Sequence, residues 1–237
     1  QDGPLTDAAY TYTAQIVDTA GNVGAGLALY VTVDTKVPTK TSNATMFLDS
    51  DGQVQGAFLS GAYTDAKTPR ILGVLSAALG QGETVQDLRN GTLVGQAAVS
   101  GLNWSFNDTL SADGTYYYTA RIINGVCNFS TVESTGLTLT LDRTAPTQVA
   151  PIAFAVDDFG SIQGVVASNA YTNDKTPTLS GTFTSFLAPG EYLQVLREGT
   201  IVGTATVFGK NWSFTDSGVA SATSYGYSTH IVDQVGN

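Results

Sequence analysis

The residues best suited to chemistry in this sequence are aspartates that recur at set places along the chain. Asp18 and Asp233 each begin an Asp-x-x-Gly-Asn phrase, and Asp34 and Asp142 each begin an Asp-x-x-x-Pro-Thr segment. The other recurring aspartates lie in Gly-containing turns or at the start of a Thr-Pro loop, and they are Asp49, Asp51, Asp65, Asp157, Asp158 and Asp174.

Carboxylates in this pattern suit one of two roles. Where several meet they would repel one another, and a Ca²⁺ ion, which takes about six to eight oxygen ligands, would neutralise them. Alternatively, each Asp forms an Asx-turn with nearby backbone and remains a solvated corner. On the first interpretation the metal ligands are Asp18, Asp34, Asp49, Asp51, Asp142, Asp157, Asp158, Asp174 and Asp233.

Enzymatic chemistry finds little support in the residue types. The sequence has one histidine, His230, and one cysteine, Cys127, so neither a Ser-His-Asp set nor a histidine metal cluster is indicated. Retaining glycosidases need two carboxylates facing one cleft, and no pair is singled out for that task. We therefore predict that the chain is not an enzyme, and we interpret Cys127 as a local substitution.

Charge and hydrophobicity exclude several partners. Acidic residues outnumber basic ones 20 to 10, for a formal charge of −10, which disfavours binding to nucleic acid or anionic lipid. No apolar run approaches the roughly 20 residues that span a bilayer, so membrane insertion is not expected. The chain begins with Gln1, which we interpret as the start of a fragment.

The elements that position the aspartates come from an internal repeat. Pro38 and Pro146, Lys67 and Lys175, and Trp104 and Trp212 lie in matching phrases, and each pair has the same separation along the chain. The stretch from residue 10 to 18 matches residues 116–124 and 225–233. We predict the last strands of one module over residues 1–33, a complete module over 34–141 (the second module), and a third module over 142–237 that lacks its last strand.

The residue pattern within each module predicts β-strands. Turn signals recur at short, regular intervals, and Asn90-Gly91 predicts a tight hairpin. Alternation over residues 116–123 places Tyr116 and Tyr118 on a buried face, and we expect Trp104 and Trp212 to anchor the cores. The segment before Tyr116 resembles a tyrosine corner. The fold class predicted is all-β, as tandem Ig-like antiparallel β-sandwich modules.

Four phrases carry a resemblance to a known family: residues 16–22, 142–147, 172–177 and 211–214. Together they resemble the bacterial Ig-like tandem repeats of giant type I-secreted adhesins and biofilm-associated surface proteins. The resemblance implies an extracellular array on the bacterial cell surface, often stiffened by calcium at module junctions.

The junctions between modules are where we expect calcium. If strands run from pole to pole, the linker aspartates, Asp34 and Asp142, come near the first turns of the neighbouring module. In the second module the Asp-x-x-Gly-Asn phrase has become Asn124-Gly-Val-Cys-Asn128. We therefore predict a weaker or absent site between the second and third modules.

Two functions of different classes remain open. The first is a structural or adhesive stalk, in which modules contact their neighbours in the chain and extend a binding head toward an unknown host or matrix receptor. The second is a carbohydrate- or receptor-binding Ig-like module. It requires exposed aromatic residues, and the candidates are Tyr117, Phe129, Phe159 and Phe208.

Strand exchange between chains is a further expectation. Residues 24–33 form a last strand without its own module, and the third module lacks that strand. An unpaired sheet edge is a template for another chain. One hypothesis is therefore head-to-tail self-association, in which residues 24–33 of one chain complete the third module of the next. The alternative is that the segment is simply one window of a longer repetitive chain.

Overall fold

The computed structural model describes residues 3–130, 134–220 and 223–237. The regular elements in these ranges are β-strands, joined by turns. No helix in this part of the chain is long and apolar enough to cross a bilayer. The prediction of an all-β fold is confirmed.

The leading segment, residues 3–33, forms two small antiparallel sheets. Its strands are β1 (Ala8–Thr13), β2 (Ile16–Val17), β3 (Val23–Gly24) and β4 (Ala28–Val33). β1 pairs with β4, with Tyr10 opposite Val31, and β2 pairs with β3. Leu29 on β4 is 61% exposed, so the apolar face of this strand is left uncovered.

The second module is a sandwich of two five-stranded sheets. Its strands are β5 (Ser42–Asp49), β6 (Gly56–Phe58), β7 (Ala62–Thr64), β8 (Arg70–Leu75), β9 (Thr84–Arg89), β10 (Thr92–Gln96), β11 (Ala98–Ser100), β12 (Asn103–Asn107), β13 (Gly114–Ile123) and β14 (Leu137–Leu141). One sheet has the order β10-β9-β13-β14-β7 and the other β11-β12-β8-β5-β6. Neighbouring strands are antiparallel except β14 and β7, which are parallel. This arrangement is an Ig-like sandwich.

The third module repeats this plan with fewer strands. They are β15 (Ile152–Asp157), β16 (Gly164–Val166), β17 (Thr178–Thr182), β18 (Tyr192–Arg197), β19 (Thr200–Thr204), β20 (Thr206–Phe208), β21 (Asn211–Thr215) and β22 (Tyr227–Val232). The sheets have the orders β16-β15-β17-β21-β20 and β19-β18-β22. β22 is therefore an edge strand, whereas its counterpart β13 lies between β9 and β14.

Each module buries its own tryptophan in its own apolar cluster. Trp104 is 2% exposed and packs within the cluster of the second module, and Trp212 is 3% exposed in that of the third. A methyl group added at Gly73 would lie 2.1 Å from the Trp104 ring. The indole of Trp104 therefore needs glycine on the neighbouring strand, β8.

Local conformations agree with the sequence pattern. Asn90 and Gly91 have φ angles of 51° and 78°, as a type I′ hairpin turn requires. The Tyr116 hydroxyl donates to the Ala112 carbonyl at 2.6 Å, which confirms the tyrosine corner. Tyr118 is fully buried and Tyr117 is exposed, as the alternation along β13 predicted.

Candidate functional site

The linker between the second and third modules is hydrogen-bonded to both. The Asp142 amide donates to the Thr64 carbonyl of the second module at 2.9 Å. The Asp142 carbonyl accepts from Asn237 Nδ2 of the third module at 3.0 Å. The two modules thus share one short segment as a common hydrogen-bonding partner.

The loop of the third module at this junction is held by Asp233. Its Oδ1 accepts from the amides of Val235, Gly236 and Asn237 at 2.9–3.0 Å. A methyl group added at Gly236 would lie 3.0 Å from Cβ of Gln53, in a turn of the second module. The Asp-x-x-Gly-Asn loop of the third module therefore packs directly on the preceding module.

Carboxylates of the second module lie on the other side of this junction. Asp49 is buried at the end of β5, where its Oδ2 accepts from Thr64 Oγ1 at 2.5 Å. Its Oδ1 accepts from the Asp51 amide at 2.9 Å. Asp65 Oδ1 is buried and has no hydrogen-bond partner.

At this junction the surroundings of Asp65 disfavour the charged form of its carboxyl group. Burial raises the pKa of this carboxyl, and the negative charges of Asp49, Asp51 and Asp233 raise it further. Asp233 belongs to the third module, so the charge of one module raises the pKa of a carboxyl group of the other. An unpaired carboxylate oxygen in acidic surroundings is a position that a cation would stabilise.

The repeat equivalent of Asp65 is Asn173, so the alignment of Asp65 with Asp174 suggested by the Thr-Pro loops is off by one position. Asp65 lies against Gly52, whereas Asn173 lies against Gly160, the glycine at the matching place in the next repeat. The third module therefore carries a neutral amide at the position where the second module carries a carboxyl group of raised pKa.

The expectation of a weaker site at the second junction stays a prediction, but the placement behind it is corrected, because the substituted phrase lies at the first junction. Asn124 Nδ2 donates to Asp34 Oδ2 at 3.0 Å, and Asn128 Nδ2 donates to the Asp34 carbonyl at 2.8 Å. Each module places this loop at its own N-terminal pole, beside the linker that enters it. The residues that lack the charge are thus those facing Asp34.

The remaining predicted ligands cap turns. Asp18 Oδ1 accepts from the Asn22 amide, and hydrogen bonds from Asn22 lower the Asp18 pKa. At the far pole of the third module, Asp157 Oδ2 accepts from Thr172 Oγ1, Asp174 Oδ1 accepts from the Thr176 amide, and Asp158 is exposed. The hydrogen bonds of Asp18, Asp157 and Asp174 are those of Asx-turns, although Asp157 and Asp174 are buried.

The structure thus brings Asp49, Asp51, Asp65 and Asp233 into one neighbourhood around Asp142. Even there, no group of three or more His, Cys, Asp or Glu side chains within the described ranges is arranged so that it could hold a metal ion. The orphaned oxygen of Asp65 is the feature that fits a cation best, and Asp65 is absent from the ligand set proposed from the sequence.

Sequence reasoning missed a buried polar cluster that recurs in both modules. Asp108 Oδ2 accepts from Arg89 Nη1 at 2.7 Å and from the Tyr118 hydroxyl at 2.6 Å. Asp216 accepts in the same way from Arg197 and Tyr227. The available signal was that Asp108 and Asp216 have the same separation along the chain as the two tryptophans.

Sequence reasoning also missed Asp87, a buried carboxylate that belongs to the second module alone. Asp87 is fully buried on β9, and neither of its carboxylate oxygens has a hydrogen-bond partner. Burial, together with the charge of Asp108, raises its pKa to about 7. The corresponding residue of the third module is Val195, which is also fully buried.

The cysteine, the histidine and the candidate aromatic residues are scattered. Cys127 is exposed, with a φ of 71° at a position where the other repeats have Gly21 and Gly236. His230 is exposed on β22. The candidate aromatic residues are all exposed and lie apart from one another along the chain: Tyr117, Phe129, Phe159 and Phe208.

Fold and junctions together define the class of protein: tandem Ig-like β-sandwich modules joined by a linker that is bonded to its neighbours. No protein-family model matches the chain. The chain is 29% identical to Exoglucanase B of Cellulomonas fimi over 99% of its own length, and it spans 20% of that protein. Fibronectin(III)-like modules of Clostridium thermocellum CbhA align with a TM-score of 0.45 and 15% identity, covering 79% of this chain and 86% of theirs.

Proposed function

We propose that this chain is a non-catalytic spacer of an extracellular protein, which holds the domains on either side of it at a set distance and orientation. The observation that carries the proposal is the shared linker at the second junction, where Asp142 is bonded to Thr64 on one side and Asn237 on the other. A linker fixed at both ends transmits orientation, whereas a free one does not.

Two kinds of parent protein suit such a spacer. The repeat phrases favour a bacterial cell-surface or biofilm adhesin, in which the modules extend a binding head from the cell. The similarity to Exoglucanase B favours a multidomain enzyme, in which the modules separate the working domains. The sequence that flanks this chain in its parent protein distinguishes the two.

The spacer role predicts a specific effect of removing the Asp233 carboxylate. Asp233→Ala frees three backbone amides in the loop that packs on Gln53, so the two modules should lose their fixed mutual orientation. Residual dipolar couplings measured on the whole chain should fit one alignment tensor for both modules when the chain is unsubstituted (the parent in each experiment below). In the variant, the two modules should require two different tensors. The lost hydrogen bonds should cost the third module about 1–2 kcal/mol.

Asp157→Ala is the matched control, because Asp157 caps a comparable turn at the opposite pole of the same module. It should destabilise the third module similarly and leave the orientation unchanged. Two independent tensors in the parent itself would contradict the spacer role.

We further propose that Ca²⁺ binds at the second junction with Asp65 as its carboxylate ligand, where the negative charges of Asp49, Asp51 and Asp233 add to the attraction. The ion would neutralise the negative charge at the junction and hold the two modules in one orientation. The support is the buried, unpartnered Oδ1 of Asp65 and the meeting of carboxylates from two modules.

Calorimetric titration with CaCl₂ tests the calcium proposal. The parent should release or absorb heat with about one ion bound, and Asp65→Asn should weaken binding at least about tenfold, because it removes one charged ligand. The third module accepts Asn173 at the same place, so the fold tolerates this change. Asp158→Asn, an equal loss of charge at the exposed far pole, should bind as the parent does. A parent that gives no heat refutes the proposal.

We also propose head-to-tail self-association by strand exchange, in which β4 of one chain leaves β1 and pairs with β22 of another. Leu29 and Val31 of β4 are exposed, whereas their equivalents in strand pairing, Leu137 and Leu139, are fully buried in the second module. Sedimentation velocity over a concentration series should reveal dimers and longer head-to-tail oligomers. Leu29→Lys should abolish them and Tyr30→Lys, on the opposite face, should not. A strictly monomeric parent contradicts the exchange.

A further inference from the structure

The outer face of one sheet in the third module forms a shallow groove of about 380 Å³. Its first cross-strand row runs over four neighbouring strands through Phe154, Ser180, Ser213 and Thr206. Side chains of one such row point to the same face of a sheet. The row thus places three hydroxyl groups beside one phenyl ring.

A second row lies next to the first. It consists of Thr182, Asn211 and Phe208, which are paired across β17, β21 and β20. Phe208 is 85% exposed and stands at one side of the groove, and Phe154, 37% exposed, stands at the other. Three strand spacings, or roughly 14 Å, separate the strands that carry the two rings. The groove is therefore a hydroxyl- and amide-bearing floor between two exposed aromatic rings.

The groove is uncharged although the chain is strongly acidic. None of the residues that line it is Asp, Glu, Lys or Arg, in a chain with 20 acidic and 10 basic residues. A charged ligand would find no opposite charge there. A ligand rich in hydroxyl groups would find both donors and acceptors, since serine, threonine and asparagine side chains supply both.

The second module shows that the fold does not require these residues. At the repeat positions of Phe154 and Phe208 it has Met46 and Ser100. The repeat positions of Ser180, Thr182 and Thr206 carry aliphatic side chains in the second module, namely Leu72, Val74 and Ala98. Two copies of one sandwich thus present outer faces of different chemistry, and this combination of aromatic and hydroxyl groups belongs to the third module.

We propose that this groove of the third module binds a neutral polysaccharide. The two phenyl rings would cover the C–H faces of sugar rings, where burial of apolar surface stabilises the complex. The hydroxyl and amide groups of the floor would exchange hydrogen bonds with the sugar hydroxyls. This site is independent of the junctions, so it stands whether or not the spacer role is correct.

Amide chemical shifts of the whole chain, titrated separately with cellohexaose, xylohexaose and mannohexaose, test the proposal. At least one of these neutral oligosaccharides should shift resonances of β17, β20 and β21. Phe208→Ala should weaken that binding at least about tenfold. Because Phe208 is mostly exposed, the variant should remain folded, with the spectrum of its core unchanged.

Phe159→Ala is the control, since Phe159 is an exposed aromatic residue of the same module outside the groove. It should bind as the parent does, and a hexagalacturonate, which is negatively charged, should not bind. The absence of chemical-shift changes with all three neutral sugars at millimolar concentration would overturn the proposal. So would shifts confined to the second module, or shifts that depend on protein concentration alone, which would assign the face to a second copy of the chain.

Discussion

Asp87→Val is expected to stabilise the second module by on the order of 4 kcal/mol at pH 8, since each unit of pKa shift corresponds to about 1.4 kcal/mol of differential stability. In the folded parent, Asp87 is fully buried, lacks any hydrogen-bond partner and has a pKa raised from 3.8 to about 7. Val195 shows that the third module accepts valine at this position.

The same residue makes the stability of the second module depend on pH. Between about pH 4 and 7 the folded state holds a proton on Asp87 that the unfolded state has released, so stability falls as pH rises through this window. Above about pH 7 the whole penalty is present, and below the unfolded pKa it is absent. The advantage of Asp87→Val over the parent should therefore be small at pH 4 and largest at pH 8.

Urea denaturation followed by amide resonances of each module measures this difference directly. The third module serves as the internal reference, and its midpoint should not change in Asp87→Val. The reciprocal change, Val195→Asp, should destabilise the third module and give it a pH dependence of the same sign. A gain in Asp87→Val that is equal at pH 4 and pH 8 would show that Asp87 is not a buried carboxylate of raised pKa.

Asp108→Ala should destabilise the second module by about 3 kcal/mol, because the Tyr118 hydroxyl loses its acceptor and the Arg89 guanidinium loses its ion-pair partner. Tyr118 is fully buried, so its hydroxyl cannot turn to water instead. Burial, and then the hydrogen bond to Asp108, raise the Tyr118 pKa, so the phenol stays neutral and donates to the carboxylate.

Tyr118→Phe separates the parts of this effect. It removes one hydrogen bond without stranding a buried donor, so it should cost only about 1 kcal/mol. In a double-mutant cycle, Asp108→Ala and Tyr118→Phe should be non-additive, since they share one contact. Additive losses would mean that the hydroxyl and the carboxylate do not interact. Asp216→Ala should reproduce the loss in the third module alone.

The sequence predicted the parts of this fold that depend on local periodicity. Alternation along residues 116–123 identified Tyr118 as core, Asn90-Gly91 identified a hairpin, and the constant repeat spacing identified Trp104 and Trp212 as equivalent. Each of these signals is carried by neighbouring residues or by the repeat itself. The module limits at 33 and 141, the calcium ligands and the strand exchange stay predictions.

The site was predicted less well than the fold, because the sequence does not show in which direction each strand runs in space. Alternation with a period of two is the same whichever way a strand runs, so it does not say at which pole a loop lies. The strand directions in space place Asn124 beside Asp34, far back along the chain, and Asp233 beside the second module. As a result, the uncharged phrase of the second module lies at the first junction and not at the second.

By itself, then, the sequence determined an all-β repeat, its hairpins and its aromatic cores, because these follow from side-chain size and spacing along the chain. Tertiary structure alone decided which aspartates meet. It leaves Asp65 Oδ1 and both oxygens of Asp87 without hydrogen-bond partners, whereas Asp108 accepts three hydrogen bonds. Burial and pairing are properties of position in space, and a carboxylate in a turn or strand has the same local pattern whether its neighbours neutralise it or not.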